Sequence, residues 1–135
     1  KKNYFIIKKY KDVDKLLKLL QSKHIKISIV TSKNKYRTNA IIKKFFKKSL
    51  FDAVITPESV KKNKGKPNPD SLLKACKEVA VDPYNTVYVG DMKVDVNTAY
   101  KSDTYFIFAK WGYGKLKGNY HTFKNINEFI DYIIK

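Results

Sequence analysis

Val87-Tyr88-Val89-Gly90-Asp91-Met92-Lys93-Val94-Asp95 is the stretch on which the reading of the fold turns. An apolar run over Thr86 to Val89 ends at a glycine, and two carboxylates four positions apart precede a helical pattern over Asp95 to Lys101. This is a buried strand feeding a helix through a tight, polar turn. Outward from it the same alternation repeats. Downstream come a strand over Tyr105 to Ala109 and a closing helix over Ile126 to Ile134. Upstream, Pro67 and Pro69 introduce a helix over Asp70 to Ala80, preceded by a short strand over Asp52 to Thr56. Tyr36, Ala40, Ile41, Phe45 and Phe46 mark a further helix, and His24 to Val30 alternates as a strand. Asp12, read as an acidic cap, precedes Val13, Leu16, Leu17 and Leu20 at helical spacing. Alternating strands and helices imply an α/β fold in which helices cover a parallel sheet.

Length and composition set the outer limits. A chain of 135 residues with 43% hydrophobic content fits one domain with a small core. No apolar stretch reaches membrane-spanning length, and Lys1-Lys2-Asn3-Tyr4 begins no signal peptide, so a soluble, cytoplasmic protein with no membrane partner is expected. The single cysteine, Cys76, lies among Leu72, Leu73, Ala75 and Val79 and reads as core. A formal charge of +17 suggests an anionic partner, but of 29 basic residues only Arg37 is arginine, the residue suited to bidentate recognition of bases and phosphates. The lysines run along the whole chain beside abundant Asn, Ile and Tyr, as an AT-rich genome produces, so a nucleic-acid-binding module is the least favoured reading.

In parallel sheets ligands bind beyond the carboxyl ends of the strands, which directs attention to three places. Thr31-Ser32-Lys33 follows the first strand; its hydroxyls either cap a helix or cradle a phosphate, and Asn34 could join either arrangement. Gly65-Lys66-Pro67-Asn68-Pro69-Asp70 is a stiff loop in which Gly65 permits an unusual backbone angle and the prolines aim Lys66. It is either a plain basic loop, with Lys61, Lys62 and Lys64, or a device for neutralising phosphate charge. Asp91 and Asp95 offer hard oxygens suited to Mg²⁺, with Gly90 allowing close approach; alternatively they are a turn residue and a helix cap. His24 and His121 have no partner set and read as structural.

These three blocks, in this order, resemble motifs two, three and four of the haloacid dehalogenase superfamily, and the connecting sequence resembles its phosphoglycolate phosphatase branch. Tyr10-Lys11-Asp12-Val13 falls where that branch has a Tyr-Pro-Gly-Val entry to the helix, Val87-Tyr88-Val89-Gly90-Asp91 and Trp111-Gly112-Tyr113-Gly114 also match it, and the likeness covers nearly the whole chain. The resemblance implies a three-layer α/β/α Rossmann-like core over residues 1–135, with residues 1–9 as the end of a cap domain or its linker. It implies a Mg²⁺-dependent phosphatase acting on a small phosphorylated metabolite through an aspartyl-phosphate. Thr31 would hold the phosphoryl group with help from the Ser32 amide, Lys66 would bridge nucleophile and phosphate, and Asp91 would bind Mg²⁺. Asp95 would complete the metal shell or orient Lys66.

Two departures from the family pattern shape what is expected. Ser102-Asp103 stands where the family has Ala-Gly, and Asp tolerates the left-handed conformation that Gly supplies. The family's first motif, Asp-x-Asp-x-Thr on the central strand, is absent from the chain, as is the cap that selects substrate. The expectation is therefore a longer protein with both upstream of Lys1, this piece being inactive alone. A phosphosugar mutase and an inactive phosphate- or protein-binding relative are the alternatives within the family. Trp111-Gly112-Tyr113-Gly114 is either a substrate-side loop or an aromatic turn packed on the sheet end.

Overall fold

The computed structural model describes residues 10–135. The expectation for residues 1–9 lies outside the described residues. Along the chain run α1 (Val13–Ser22), β1 (Ser28–Val30), α2 (Lys35–Phe45), β2 (Ala53–Ile55), α3 (Asp70–Val79), β3 (Val87–Gly90), α4 (Lys93–Ser102), β4 (Tyr105–Ala109), β5 (Thr122–Phe123) and α5 (Ile126–Ile134). Every strand pairing is parallel, as the α/β alternation requires. The strands form two separate sheets, β1-β2 and β3-β4-β5.

Side chains alternate across the second sheet because successive strand residues point to opposite faces. Ile107 enters one core cluster with Leu16 of α1, Phe123, and Ile126, Phe129 and Ile130 of α5, and Val89 packs against it. Tyr88, Phe106 and Phe108 point the other way, onto Leu72 of α3 and Val96 and Ala99 of α4. Helices thus cover both faces of the sheet. Val30 of β1 packs against the second cluster, which ties the smaller sheet to the larger through α3. Cys76 is buried, with its sulfur 3.5 Å from the Thr86 hydroxyl, as a core residue.

Several local expectations are corrected. Asp12 stands at the N-cap of α1, its carbonyl accepting from the Leu16 amide at 3.1 Å, but its side chain does not cap: its φ is 68°, and its carboxylate accepts from Asn127 Nδ2 of α5 at 2.9 Å. The first strand begins at Ser28 rather than His24, because the chain is still leaving α1. His24 is left-handed at φ 58°, and the Ile25 amide donates back to the Leu20 carbonyl at 3.0 Å. The buried face of α2 carries Thr38 and Ile42, while Tyr36 is 84% exposed. Strand β5 was not legible: two residues show no periodicity. Asp103 does take the left-handed conformation, at φ 60°.

Candidate functional site

Within each sheet the strands run parallel; Thr31 follows the carboxyl end of β1, and Asp91 follows that of β3. Lys66 reaches the β3 end from the loop before α3, through Asp95. Its Nζ lies 2.9 Å from Asp95 Oδ1, both side chains being nearly buried, at 11% and 8% exposure. The same nitrogen sits 5.3 Å from the centre of the Tyr88 ring, a cation–π contact. Lys66 is therefore a fixed cation, distinct from the exposed Lys61, Lys62 and Lys64.

What aims it differs from the sequence expectation. Gly65 has no positive φ and open space around it, so no glycine-only angle is involved, and the Lys66–Pro67 peptide bond is cis. The loop is stitched by Asn68, whose Nδ2 donates to the carbonyls of Asn63 at 3.2 Å and Gly65 at 3.1 Å. No periodicity marks such a residue. Its signal was only its place between two prolines.

Asp95 is buried on the first turn of α4. Its Oδ2 accepts from the amides of Asp91 and Met92, each at 3.1 Å, and its Oδ1 accepts from Tyr88 Oη at 3.2 Å as well as from Lys66. Gly90 makes this possible, since a Cβ there would lie 2.6 Å from Asp95 Cβ and Oδ2. Burial first, and then the Asp95 carboxylate, push the Tyr88 phenol far above its ordinary range, so it remains a donor. Tyr88 was not foreseen as part of this network. In the sequence it is one aromatic in a strand.

Asp91 is half-buried, and its Oδ2 accepts from the amides of Tyr113 at 2.7 Å and Gly114 at 2.9 Å. The turn after β4 thus packs on the end of β3, and Tyr113 itself is 91% exposed. The Tyr10 ring lies 6.3 Å from that of Tyr113, and burial, Tyr113 and then Asp91 raise the Tyr10 phenol.

Thr31 does not cap α2. That role falls to Asn34, whose Oδ1 accepts from the Arg37 amide at 2.8 Å. Thr31 Oγ1 accepts from the Lys33 amide at 3.1 Å, and Ser32 is exposed. The structure thus joins Lys66, Asp95 and Asp91 through hydrogen bonds, whereas Thr31 and Ser32 stand after β1, in the other sheet. Among the described residues no group of three or more His, Cys, Asp or Glu could hold a metal ion. Asp91 and Asp95 supply the right donor type for Mg²⁺ but no complete shell. Nor is any helix among those residues long and apolar enough to cross a membrane. His121 is structural, its Nδ1 being 2.8 Å from Tyr105 Oη within an aromatic cluster.

The chain as a whole has counterparts among known proteins. The sequence pattern of haloacid dehalogenase-like hydrolases matches residues 1–109. The chain belongs to the haloacid dehalogenase-like hydrolase family. Among its haloacid dehalogenase-like relatives, a Clostridium perfringens protein assigned as pyrophosphatase PpaX is 40% identical over 89 residues, 66% of this chain and 41% of its own length. The phosphoglycolate phosphatase of Aquifex aeolicus is 27% identical over 109 residues, 81% of this chain and 50% of its own. The chain spans about half or less of these relatives' length. Among solved structures, a haloacid dehalogenase-superfamily hydrolase from Ehrlichia chaffeensis superposes with a TM-score of 0.81 at 22% identity, covering 93% of this chain and 57% of that one. That likeness places the fold.

Proposed function

We propose that this chain is the larger part of the core of a phosphoric monoester hydrolase acting on a small phosphorylated metabolite, with its nucleophilic carboxylate supplied by a segment upstream of Lys1. The observation that carries the reading is Lys66, a nearly buried ammonium fixed 2.9 Å from Asp95 at the strand edge where Asp91 stands. A cation held there neutralises charge that builds on a phosphoryl group as it is transferred. Thr31 Oγ1, already accepting from the Lys33 amide, keeps its proton to donate to a phosphate oxygen, and the Ser32 amide lies beside it.

Asp95 orients Lys66 in this account. Both its oxygens are engaged by donors, which supports that role over a direct place in a metal shell. Asp91 would hold Mg²⁺ through its other oxygen, with further ligands from the upstream segment, water and substrate. When bound, Mg²⁺ supplies charge neutralisation next to the attacked phosphorus. The reaction runs by attack of the upstream carboxylate on phosphorus. The bond to the ester oxygen breaks, the leaving alkoxide takes up a proton, and water then cleaves the aspartyl-phosphate to inorganic phosphate and the restored carboxylate.

The divided sheet supports an upstream strand. Among the described residues β1 pairs with β2 alone and β3 with β4 alone, although Val30 and Tyr88 share one core. A parallel strand between β1 and β3 would complete the layer and bring its carboxyl end to Thr31, Lys66 and Asp91. Relatives named for pyrophosphate and phosphoglycolate hydrolysis support a substrate among small phosphorylated anions. The test is phosphate release from a generic phosphate ester by the full-length protein, with and without Mg²⁺. Turnover confined to the Mg²⁺-containing reaction is expected, and no turnover in either sinks the reading.

A further inference from the structure

We propose that the Trp111-Gly112-Tyr113-Gly114 turn is a positioning clamp for Asp91, setting which carboxylate oxygen faces a divalent cation. This rests on the reading of Asp91 as a metal-facing group. Two backbone amides, at 2.7 and 2.9 Å, converge on one oxygen, Oδ2. Amide bonds to an ionised carboxylate are strong, and two on a single oxygen fix both its rotamer and its polarity. Oδ1 accepts no described hydrogen bond among residues 10–135 and so carries the lone pairs left for a cation.

The turn is built to hold this arrangement. Strands β3 and β4 are adjacent and parallel, with Gly90 opposite Phe108, so the chain leaving β4 passes beside the carboxylate leaving β3. The Gly112 amide closes the turn onto the Ala109 carbonyl at 3.0 Å, and Trp111 anchors it by packing against the cluster of Leu16, Ile107 and Phe129. A Cβ at Gly112 would fall on the Asp91 side chain, and one at Gly114 on the Asp91 backbone carbonyl. Both glycines are thus required by close approach to one residue. A carboxylate held in advance loses little freedom on binding a cation, so the clamp acts on metal affinity rather than on chemistry.

The experiment uses the full-length protein and Mn²⁺ as probe, with binding read from the free-Mn²⁺ paramagnetic resonance signal and by calorimetry. Gly114→Ala is expected to raise the Mn²⁺ dissociation constant on the order of tenfold to a hundredfold. Lys117→Ala, on the exposed part of the same loop, leaves it within about twofold. A folded Gly114→Ala protein with wild-type Mn²⁺ affinity overturns the proposal. Should Gly114→Ala not fold, the wild-type amide resonances decide: those of Tyr113 and Gly114 are expected to shift as Mg²⁺ is added while that of Gly118 stays, and immobile Tyr113 and Gly114 resonances overturn the clamp. Asp91→Asn separates the two layers. Mn²⁺ binding that survives this change removes the underlying role of Asp91; binding lost in Asp91→Asn but intact in Gly114→Ala removes only the clamp.

Discussion

Asp95 is approached only by donors: Lys66 and Tyr88 on one oxygen, the Asp91 and Met92 amides on the other. An asparagine in its place must turn its NH₂ group either toward the two amides or toward the lysine, and both orientations set donor against donor. Asp95→Asn also leaves the Lys66 charge uncompensated, so a loss of about 3–5 kcal/mol in urea unfolding is expected. Lys66→Met is milder, at about 1.5–3 kcal/mol, because the carboxylate keeps its three other donors. A larger loss for Lys66→Met than for Asp95→Asn would contradict this ranking. The sequence exposed Lys66, Asp91 and Asp95 because each is a charged residue where a strand or loop meets a helix. It did not expose Tyr88 or the Tyr113 and Gly114 amides. A phenol inside an apolar strand looks like core, and a backbone donor has no letter in the sequence.

At the scale of elements, what was legible followed periodicity. Strand β4 and helix α5 lie where their patterns put them: β4 is an apolar run buried on both faces of the sheet, and α5 turns Ile126, Phe129 and Ile130 into one core. Where the ends depend on backbone hydrogen bonds the pattern was silent, as at the exit of α1 that shortens β1. Helix α2 shows a second limit: its buried Thr38 is satisfied by donating to the Lys33 carbonyl at 3.3 Å, which apolar counting does not register. The entry of α2 is also held from a distance. Glu58 Oε1 accepts from the Lys35 amide at 3.1 Å, and the amides of Glu58 itself and then Lys35 hold its carboxyl below the ordinary value of 4.5. A depressed carboxyl stabilises the fold above that value and loses the contribution as pH falls through its folded pKa. Melting curves of wild type and Glu58→Gln should therefore converge as pH is lowered below 4.5. Curves that diverge there would refute the link. At the end of α3, Ala80 is left-handed at φ 57°, a conformation that costs an L-residue about 1–2 kcal/mol. Ala80→Gly relieves it against roughly 0.4–1 kcal/mol of added unfolded-state entropy, so a small gain in melting temperature is expected. A fall would show that the strain is not there.

On the scale of the molecule, the two sheets, the site at the end of β3 and the +17 charge belong to one picture. Among the described residues β1 and β3 each keep an unpaired edge, a template for another strand. Residues 1–135 produced alone are expected to self-associate with concentration in sedimentation, and the full-length protein is not; monodisperse behaviour of the short piece would count against an open seam. The surplus lysines favour the approach of a small anion at low salt. The claim at the centre is that Lys66 acts on a phosphoryl group. Its most direct test is the steady-state turnover of a phosphate ester by the full-length protein and its Lys66→Met variant, at saturating Mg²⁺ and with both shown folded by circular dichroism. A fall in kcat of about a hundredfold or more is expected. A folded Lys66→Met protein that turns over at the wild-type rate would contradict it.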